Sequence, residues 1–272
     1  KTQEFFTDLL SDVEETTAPF GITDINGSGA DLLEAQLSLG YELSEKIPEK
    51  AKLFNVTPSI MFHIAWAMVI SRLTGKQDVV FGTVMSGRMN NGFENSIGMY
   101  INTLPFRVNL AGKISDILND AHVLFSNIVA HENTSLVLAQ RCSSIPSGSP
   151  LFTSVINYRN TNEVSTAENT ESENEKIEVE INQSMTAEKS NYPLVLSVDN
   201  SGREFRLVIS ALSTIDIKSV SEFVSHAIQS LTEALDKSID NSIEHVETIP
   251  DTYWDRFYPD RGNTAEYDKR AI

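Results

Sequence analysis

The pattern of apolar and polar positions predicts a chain in which helices and strands alternate. Apolar residues recur at helical spacing in four segments, which are residues 2–15, 57–73, 114–129 and 220–235. Strand-like runs, either alternating or continuously apolar, occupy residues 36–43, 79–84, 104–108, 151–158, 176–181, 192–198 and 204–211. Shorter helices are expected at 48–54 and 136–140. Strands interleaved with long helices predict an α/β layered domain.

The helix predicted at residues 57–73 is apolar on nearly every face, which is typical of a central, buried helix. Thr57 and Pro58 suit its start, and Gly75 lies just past its end. His63 falls within this apolar stretch. We interpret it as a hydrogen-bonded core residue rather than a ligand.

The stretch from residue 78 to 110 holds two strand-like runs joined by a loop rich in Gly and Asn. Loops of this kind carry function more often than the strands they join. Ser86, Gly87 and Arg88 could present a hydroxyl and a guanidinium to a channel. They could instead form a turn in which Ser86 caps backbone amides and Arg88 pairs with a structural carboxylate, and these residue types favour the turn. Asn102 is expected to fix a loop through its amide.

Composition narrows the possible partners. The net charge of −17 argues against nucleic acid or an anionic membrane as the main partner, and no apolar stretch reaches the length of a membrane span. The single cysteine, Cys142, excludes an internal disulfide and a multi-cysteine metal site, which fits a cytoplasmic setting. Residues 161–175 carry five Glu and no Lys or Arg, so they predict a polar excursion from the core.

Common catalytic signatures are incomplete in this sequence. His131 and Glu132 begin a zinc-helix pattern, but Ser135 stands where the second histidine belongs. The segment around Gly75 and Lys76 lacks the spacing of a phosphate-binding loop, and no Gly-x-Ser-x-Gly elbow occurs. The residues alone therefore show no complete catalytic constellation.

Several ordered motifs resemble a known family. Residues 78–88 (DVVFGTVMSGR) and 97–108 (IGMYINTLPFRV) are similar to paired motifs in the C-terminal lobe of condensation domains from nonribosomal peptide synthetases. Residues 131–141, 150–158 and 191–198 resemble later motifs of the same lobe, although the usual Arg-Asp-x-Ser-Arg lead-in is replaced by Ser-Ile-Pro-Ser-Gly-Ser. The resemblance runs from about residue 1 to 250.

The resemblance implies a chloramphenicol acetyltransferase-like lobe, with a mixed β-sheet flanked by long helices. The family joins an acyl or peptidyl donor to an aminoacyl acceptor, and both are held as thioesters on phosphopantetheine carriers. Its His-His-x-x-x-Asp-Gly motif belongs to the first lobe, and no two histidines are adjacent here. We therefore expect the second lobe alone, with no catalytic residue, no metal and no cofactor of its own, and with no activity in isolation.

The resemblance also assigns roles to individual residues. Substrate-tunnel or structural positions are Ser86, Gly87, Arg88, Asn102 and Tyr158, and a floor loop includes Asn91, Gly98 and Tyr100. Residues 161–184 would form a latch that crosses to complete the other lobe's sheet. Residues 1–250 would form the lobe, and residues 251–272 would be a tail or linker toward an adenylation domain.

The expected partners are the N-terminal lobe of the same domain, peptidyl carrier domains and a downstream adenylation domain. The retained Ser-Gly-Arg and Asn-Thr-Leu-Pro patterns favour peptide-bond formation over epimerization. Two alternatives remain open from the sequence. One is a non-catalytic module that holds carrier proteins, and the other is a different acyltransferase of the same fold that accepts free amines or alcohols.

Overall fold

A single mixed sheet organises the chain in the computed structural model, which describes residues 1–25, 32–85, 101–160, 180–182, 191–237 and 240–257. The strands are β1 (Leu32–Ser38), β2 (Asp78–Met85), β3 (Asn102–Asn109), β4 (Ser154–Asn160), β5 (Glu180–Asn182), β6 (Leu194–Asn200) and β7 (Phe205–Leu212). Their order across the sheet is β3-β2-β4-β6-β7-β1-β5. β2, β4 and β6 run parallel to one another, and the other pairings are antiparallel.

Seven α-helices accompany the sheet within the described ranges. They are α1 (Thr2–Leu10), α2 (Gly40–Leu53), α3 (Pro58–Thr74), α4 (Ile114–Ala130), α5 (Leu136–Gln140), α6 (Ile217–Lys237) and α7 (Asp251–Phe257). α3 contacts β2 and β4 and lies between α4 and α6. It is buried from Ser59 through Ile70, which confirms the prediction of a central helix. Gly75 ends it in the left-handed conformation, with φ of 69°.

One face of the sheet carries the aromatic core beneath α3 and α4. The His63 ring on α3 lies 4.9 Å from the Phe106 ring on β3 and 5.4 Å from the Phe125 ring on α4. Because side chains alternate between the two faces of a strand, Arg107 must point the opposite way from Phe106. Its guanidinium reaches Leu9 and Asp12 at the end of α1, so α1 covers the other face over β2 and β3.

The first strand and second helix differ from their predicted bounds. The alternation at residues 36–43 predicted one strand, but β1 ends at Ser38 and α2 begins at Gly40. Leu39 and Leu43 are four residues apart and therefore also share one helical face. Tyr41, the alternating residue between them, is 60% exposed. The alternation was therefore compatible with both structures, and packing selected the helix.

The structure bears on part of two expectations, one about the edge of the sheet and one about the end of the chain. Residues 161–184 were assigned to a latch for another lobe, but the described part, Glu180–Asn182, pairs antiparallel with β1 of this chain. The free edge of β1 offers unpaired N–H and C=O groups, and β5 satisfies some of them. Residues 251–272 were expected to be a tail or linker. Within this stretch α7 packs on α6, where Tyr253 contacts Phe223 at 4.8 Å and Trp254 is buried.

Candidate functional site

The sheet divides into two ribbons between β2 and β4. These strands pair only at Gly82 with Val155 and at Thr83 with Ile156. Both continue beyond that point, β2 to Met85 and β4 to Asn160. β3 stays paired with β2 up to Met85, and β6 stays paired with β4 up to Asn160. We call the gap between residues 84–85 of β2 and residues 157–160 of β4 the fork.

The fork lies where the parallel strands β2, β4 and β6 end. In open α/β sheets, ligands bind in the crevice outside the carboxyl ends of the strands, at a point where neighbouring connections lead apart. The chain leaves β2 at Met85 and enters the stretch that the sequence singled out. Six predicted site residues in that stretch lie outside the described residues: Ser86, Gly87, Arg88, Asn91, Gly98 and Tyr100. Asn102 and Tyr158 are described, on the β3 and β4 sides of the fork.

The opposite end of the β2–β4 seam is closed by Thr17. Its N–H donates to Leu151 O at 3.2 Å, and its carbonyl accepts from Thr153 N–H at 3.2 Å, so it pairs with the chain entering β4. Its Oγ1 accepts the Val80 N–H at 3.1 Å on the β2 side. One threonine therefore bridges both strands where they do not pair with each other.

Gly82 allows the two strands to approach where they do pair. A Cβ atom at this position would lie 2.6 Å from a Phe152 ring carbon, 2.7 Å from Thr103 Cγ2 and 2.9 Å from Val155 Cγ2. Contacts this short are repulsive, so a side chain here would force the strands or the Phe152 ring to move. The seam is consequently narrowest just before the fork opens.

Asn102 fixes the loop that follows α4. Its Nδ2 donates to Glu132 O at 2.7 Å and to Thr134 O at 2.6 Å, and its Oδ1 accepts the Thr103 N–H at 2.9 Å. All of these partners are backbone groups. This geometry confirms the expectation that the Asn102 amide fixes a loop through backbone hydrogen bonds.

Tyr158 stands on the β4 side of the fork. Its ring lies 6.0 Å from that of Phe62 on α3, and its Oη accepts a hydrogen bond from Asn200 Nδ2 at 3.3 Å. Asn200 Nδ2 also donates to Asn160 Oδ1 at 3.2 Å. Burial raises the pKa of the Tyr158 phenol above its ordinary value, so the hydroxyl keeps its proton at neutral pH.

Sequence reasoning identified Tyr158 but missed Asn200 and the neighbouring ion pair of Arg159 with Asp199. Arg159 Nε and Nη2 donate to the two Asp199 carboxylate oxygens at 2.7 and 3.0 Å. The signal for Asn200 was present, because its position two residues before Gly202 in a predicted hairpin suits a side chain that bonds the turn backbone. The cross-strand register that pairs Arg159 with Asp199 had no comparable local signal.

His63 is a core residue, as predicted. Its Nδ1 lies 2.7 Å from Ser59 O and its Nε2 lies 2.9 Å from Thr83 Oγ1, so it links α3 to β2 just below the fork. Burial lowers the pKa of His63 to about 4, which keeps the imidazole neutral at physiological pH. One ring nitrogen donates and the other accepts, and neither is left for an external ligand.

Neither a metal cluster nor a single membrane-spanning helix occurs in the described part of the chain. No cluster of three or more His, Cys, Asp or Glu side chains is arranged there to hold a metal ion. Among the described helices, no single one has the length and apolarity of a membrane span, and the bent pair of α2 and α3 meets the criterion only jointly, by length and composition.

Comparison with known proteins decides the family. The family model described as "Condensation domain" matches residues 24–253. The chain belongs to the condensation-domain family. Condensation domains are, in general, acyl or peptidyl transferases of synthetases, where they work with carrier and adenylation domains.

Curated relatives of this condensation-domain chain are very large proteins. It is 37% identical over 251 residues to malpibaldin synthetase from Mortierella alpina, which covers 91% of the chain and 4% of that synthetase. It is 35% identical over 251 residues to malpinin synthetase from the same organism, covering 91% of the chain and 3% of the relative. The chain thus spans only a few per cent of the length of these relatives.

Solved structures similar to this chain share its fold. A holo four-domain nonribosomal peptide synthetase bound to AMP and glycine matches with a TM-score of 0.72 at 12% identity, covering 93% of this chain and 20% of that one. The starter condensation domain of rhizomide synthetase matches with a TM-score of 0.67 at 15% identity, covering 92% of this chain and 54% of that one. The chain therefore has the chloramphenicol acetyltransferase-like fold of condensation domains.

Proposed function

We propose that this chain is the C-terminal lobe of a nonribosomal peptide synthetase condensation domain. In this role it would form amide bonds, together with an N-terminal lobe, between a carrier-bound acyl or peptidyl donor and a carrier-bound aminoacyl acceptor. One observation carries the proposal. Over 90% of the chain matches the starter condensation domain, yet it covers only 54% of that structure. The unmatched part is large enough to be a second lobe.

The fork supports a positioning role for this lobe. Attack of an amine on a thioester carbonyl requires the two reactants to be held together and the developing oxyanion to be stabilised. The described side chains at the fork include an amide, a phenol and an ion pair, and none of residues 84–85 and 157–160 is a histidine. The acid–base group would accordingly come from the N-terminal lobe. Phosphopantetheine would enter on the partner carrier domains, and the lobe would bind no cofactor of its own.

The proposed partners follow from the same role. They are the N-terminal lobe, the donor and acceptor carrier domains and an adenylation domain downstream. α7 extends the packed lobe through Phe257, so any linker toward an adenylation domain would begin after that residue rather than at 251. We propose a cytoplasmic location for the assembly.

A reconstitution experiment tests the proposal. The 272-residue chain and the complete domain that contains it are each incubated with an acylated donor carrier and an aminoacylated acceptor carrier, and the acceptor-bound product is detected by mass spectrometry. We expect an amide product with the complete domain and none with the 272 residues alone. An amide formed by the isolated chain would contradict the lobe assignment. Carrier binding without amide formation by the complete domain would favour the non-catalytic interaction module.

A further inference from the structure

The β6–β7 turn sets the orientation of the Asn200 side chain. Gly202 occupies the turn with φ of 84°, a conformation that glycine adopts readily. Its N–H donates to Asn200 Oδ1 at 3.0 Å. Because the amide oxygen is committed to this N–H, the amide nitrogen must face the opposite way, toward β4. The turn backbone thus removes the usual ambiguity between the two ends of an asparagine side chain.

The oriented amide determines the polarity of the Tyr158 hydroxyl. Asn200 Nδ2 is a donor only, so Tyr158 Oη must accept in the 3.3 Å contact between them. Asn160 Oδ1 takes another bond from the same nitrogen, which holds the amide plane in place. The phenolic proton then remains to be donated elsewhere, and the described part of the chain offers it no acceptor.

Packing against α3 and the bond to Asn200 on β6 hold the Tyr158 ring in position at the end of β4. Phe62, which is fully buried on α3, packs against the Tyr158 ring and also lies 4.9 Å from the Phe205 ring. Tyr158 itself is partly exposed. A neutral O–H donor on a fixed ring, at the carboxyl end of a parallel strand, suits an acceptor oxygen such as a carbonyl.

We propose that Tyr158, oriented by Asn200, donates a hydrogen bond to the carbonyl oxygen of an acyl thioester that lies in the fork. Tyr158 would contact the substrate, and Asn200 would be a positioning residue that acts through Tyr158. This inference rests on the proposed function, because that function supplies the thioester. It goes beyond it by naming the contacted atom and the direction of the hydrogen bond.

A binding cycle isolates this hydrogen bond from catalysis. Two neutral, stable probes that differ by one carbonyl, S-acetonyl-pantetheine and S-propyl-pantetheine, are titrated into the complete condensation domain by calorimetry. We expect the wild type to bind the acetonyl probe about 5-fold more tightly than the propyl probe, as one hydrogen bond allows. Tyr158→Phe should bring the two affinities together while leaving binding of the propyl probe unchanged.

Asn200→Asp tests the direction of the Tyr158 hydrogen bond more directly than a variant that removes the Asn200 side-chain amide altogether. The carboxylate can still accept the Gly202 N–H, but it presents an acceptor to Tyr158, so the phenolic proton should turn inward. We expect the same loss of carbonyl preference as in Tyr158→Phe, although the phenol is still present. Tyr41→Phe, which removes an exposed hydroxyl from α2, is the matched control and should keep the wild-type ratio.

The outcomes separate this inference from the proposed function. If Tyr158→Phe prefers the acetonyl probe over the propyl probe by the same factor as the wild type, the proposed hydrogen bond is contradicted. It is also contradicted if the wild type binds neither probe. If Asn200→Asp still binds the acetonyl probe more tightly than the propyl probe, Asn200 does not orient the Tyr158 hydroxyl. Amide formation by the wild type is measured separately on the same preparation, so a failed binding cycle beside normal condensation leaves the proposed function standing.

Discussion

The two ends of the β2–β4 seam differ in how their polar groups are used. At the lower end, Thr17 bridges both strands and Arg107 ties β2 and β3 to the end of α1. At the upper end, pairing between the strands stops after Thr83 and Ile156, and the Tyr158 proton has no acceptor in the described chain. The lower end therefore uses its polar groups to join the strands. At the upper end most polar groups are also paired within the chain, and the Tyr158 hydroxyl is the group that we propose for a ligand.

The sheet stays intact although β2 and β4 stop pairing with each other at the fork. Each ribbon keeps its own ladder to the end, so the fork leaves unpaired only the facing edges of β2 and β4. His63 holds α3 against β2 directly below this point. Four substitutions test the comparison, and their expected effects on stability decrease in the order Gly82, Arg107, Thr17 and Asn102.

The largest effect is expected at Gly82. Gly82→Ala places a Cβ atom within 3 Å of three side-chain carbons, and overpacking of this kind should lower the free energy of unfolding by about 3 kcal/mol. Urea denaturation measures the loss. Adding Thr103→Ser removes one of the three clashing carbons and should restore part of the stability. A fully stable Gly82→Ala protein would show that the seam is not closely packed.

Arg107→Ala is expected to cost about 2 kcal/mol, because it removes charge-assisted hydrogen bonds to Asp12 and Asp78 and a bond to Leu9 O. The Arg107 hydrogen bonds lower the pKa of Asp12 to about 2. A carboxyl whose pKa is lowered in the folded state stabilises the protein above its unfolded pKa of about 4, and that stabilisation is lost as pH falls toward 2.

The pH dependence provides the control for this substitution. Between pH 5 and pH 2 the wild type should lose more stability than Arg107→Ala, which lacks the paired Asp12. Arg107→Lys keeps the charge but cannot reproduce the forked geometry, so its stability should fall between the two. Parallel pH profiles for the wild type and Arg107→Ala would rule out Asp12 as the source of the slope.

Thr17→Val is expected to cost about 1–2 kcal/mol. It leaves the Val80 N–H buried without its acceptor while the size of the side chain stays nearly constant. Amide hydrogen exchange should show faster exchange at Val80, and urea denaturation should show the loss of stability. Thr17→Ser retains the hydroxyl and should restore protection of Val80. Unchanged exchange in Thr17→Val would contradict the bridging role.

Asn102→Ala should have the smallest effect of the four, about 1 kcal/mol, because the hydrogen bonds it removes are between neutral groups and are only partly buried. In the complete domain, condensation activity should fall only as far as the folded fraction does at the assay temperature. A loss of activity with an unchanged melting temperature would instead give Asn102 a direct role in the fork.

Local chemistry made part of the fold predictable. The buried character of α3 could be read from its apolar faces, and α5 lies where its pattern placed it. The error at residues 36–43 arose because alternation and helical spacing coincide at Leu39 and Leu43. The packing of α7 was missed because its apolar contacts, such as that of Tyr253 with Phe223, are made with a distant helix and leave no repeating pattern within seven residues.

The sequence by itself determined the α/β class, the central helix, the core role of His63 and the family, because spacing, capping and ordered motifs are local properties of the chain. The tertiary structure decided where β2 and β4 stop pairing, that Thr17 closes one end of their seam and that the turn at Gly202 orients Asn200 toward Tyr158. Apart from the contact between Asn200 and Gly202, these features join residues 40 or more positions apart. Only the sheet order and register bring them together, since no local pattern encodes which strands become neighbours.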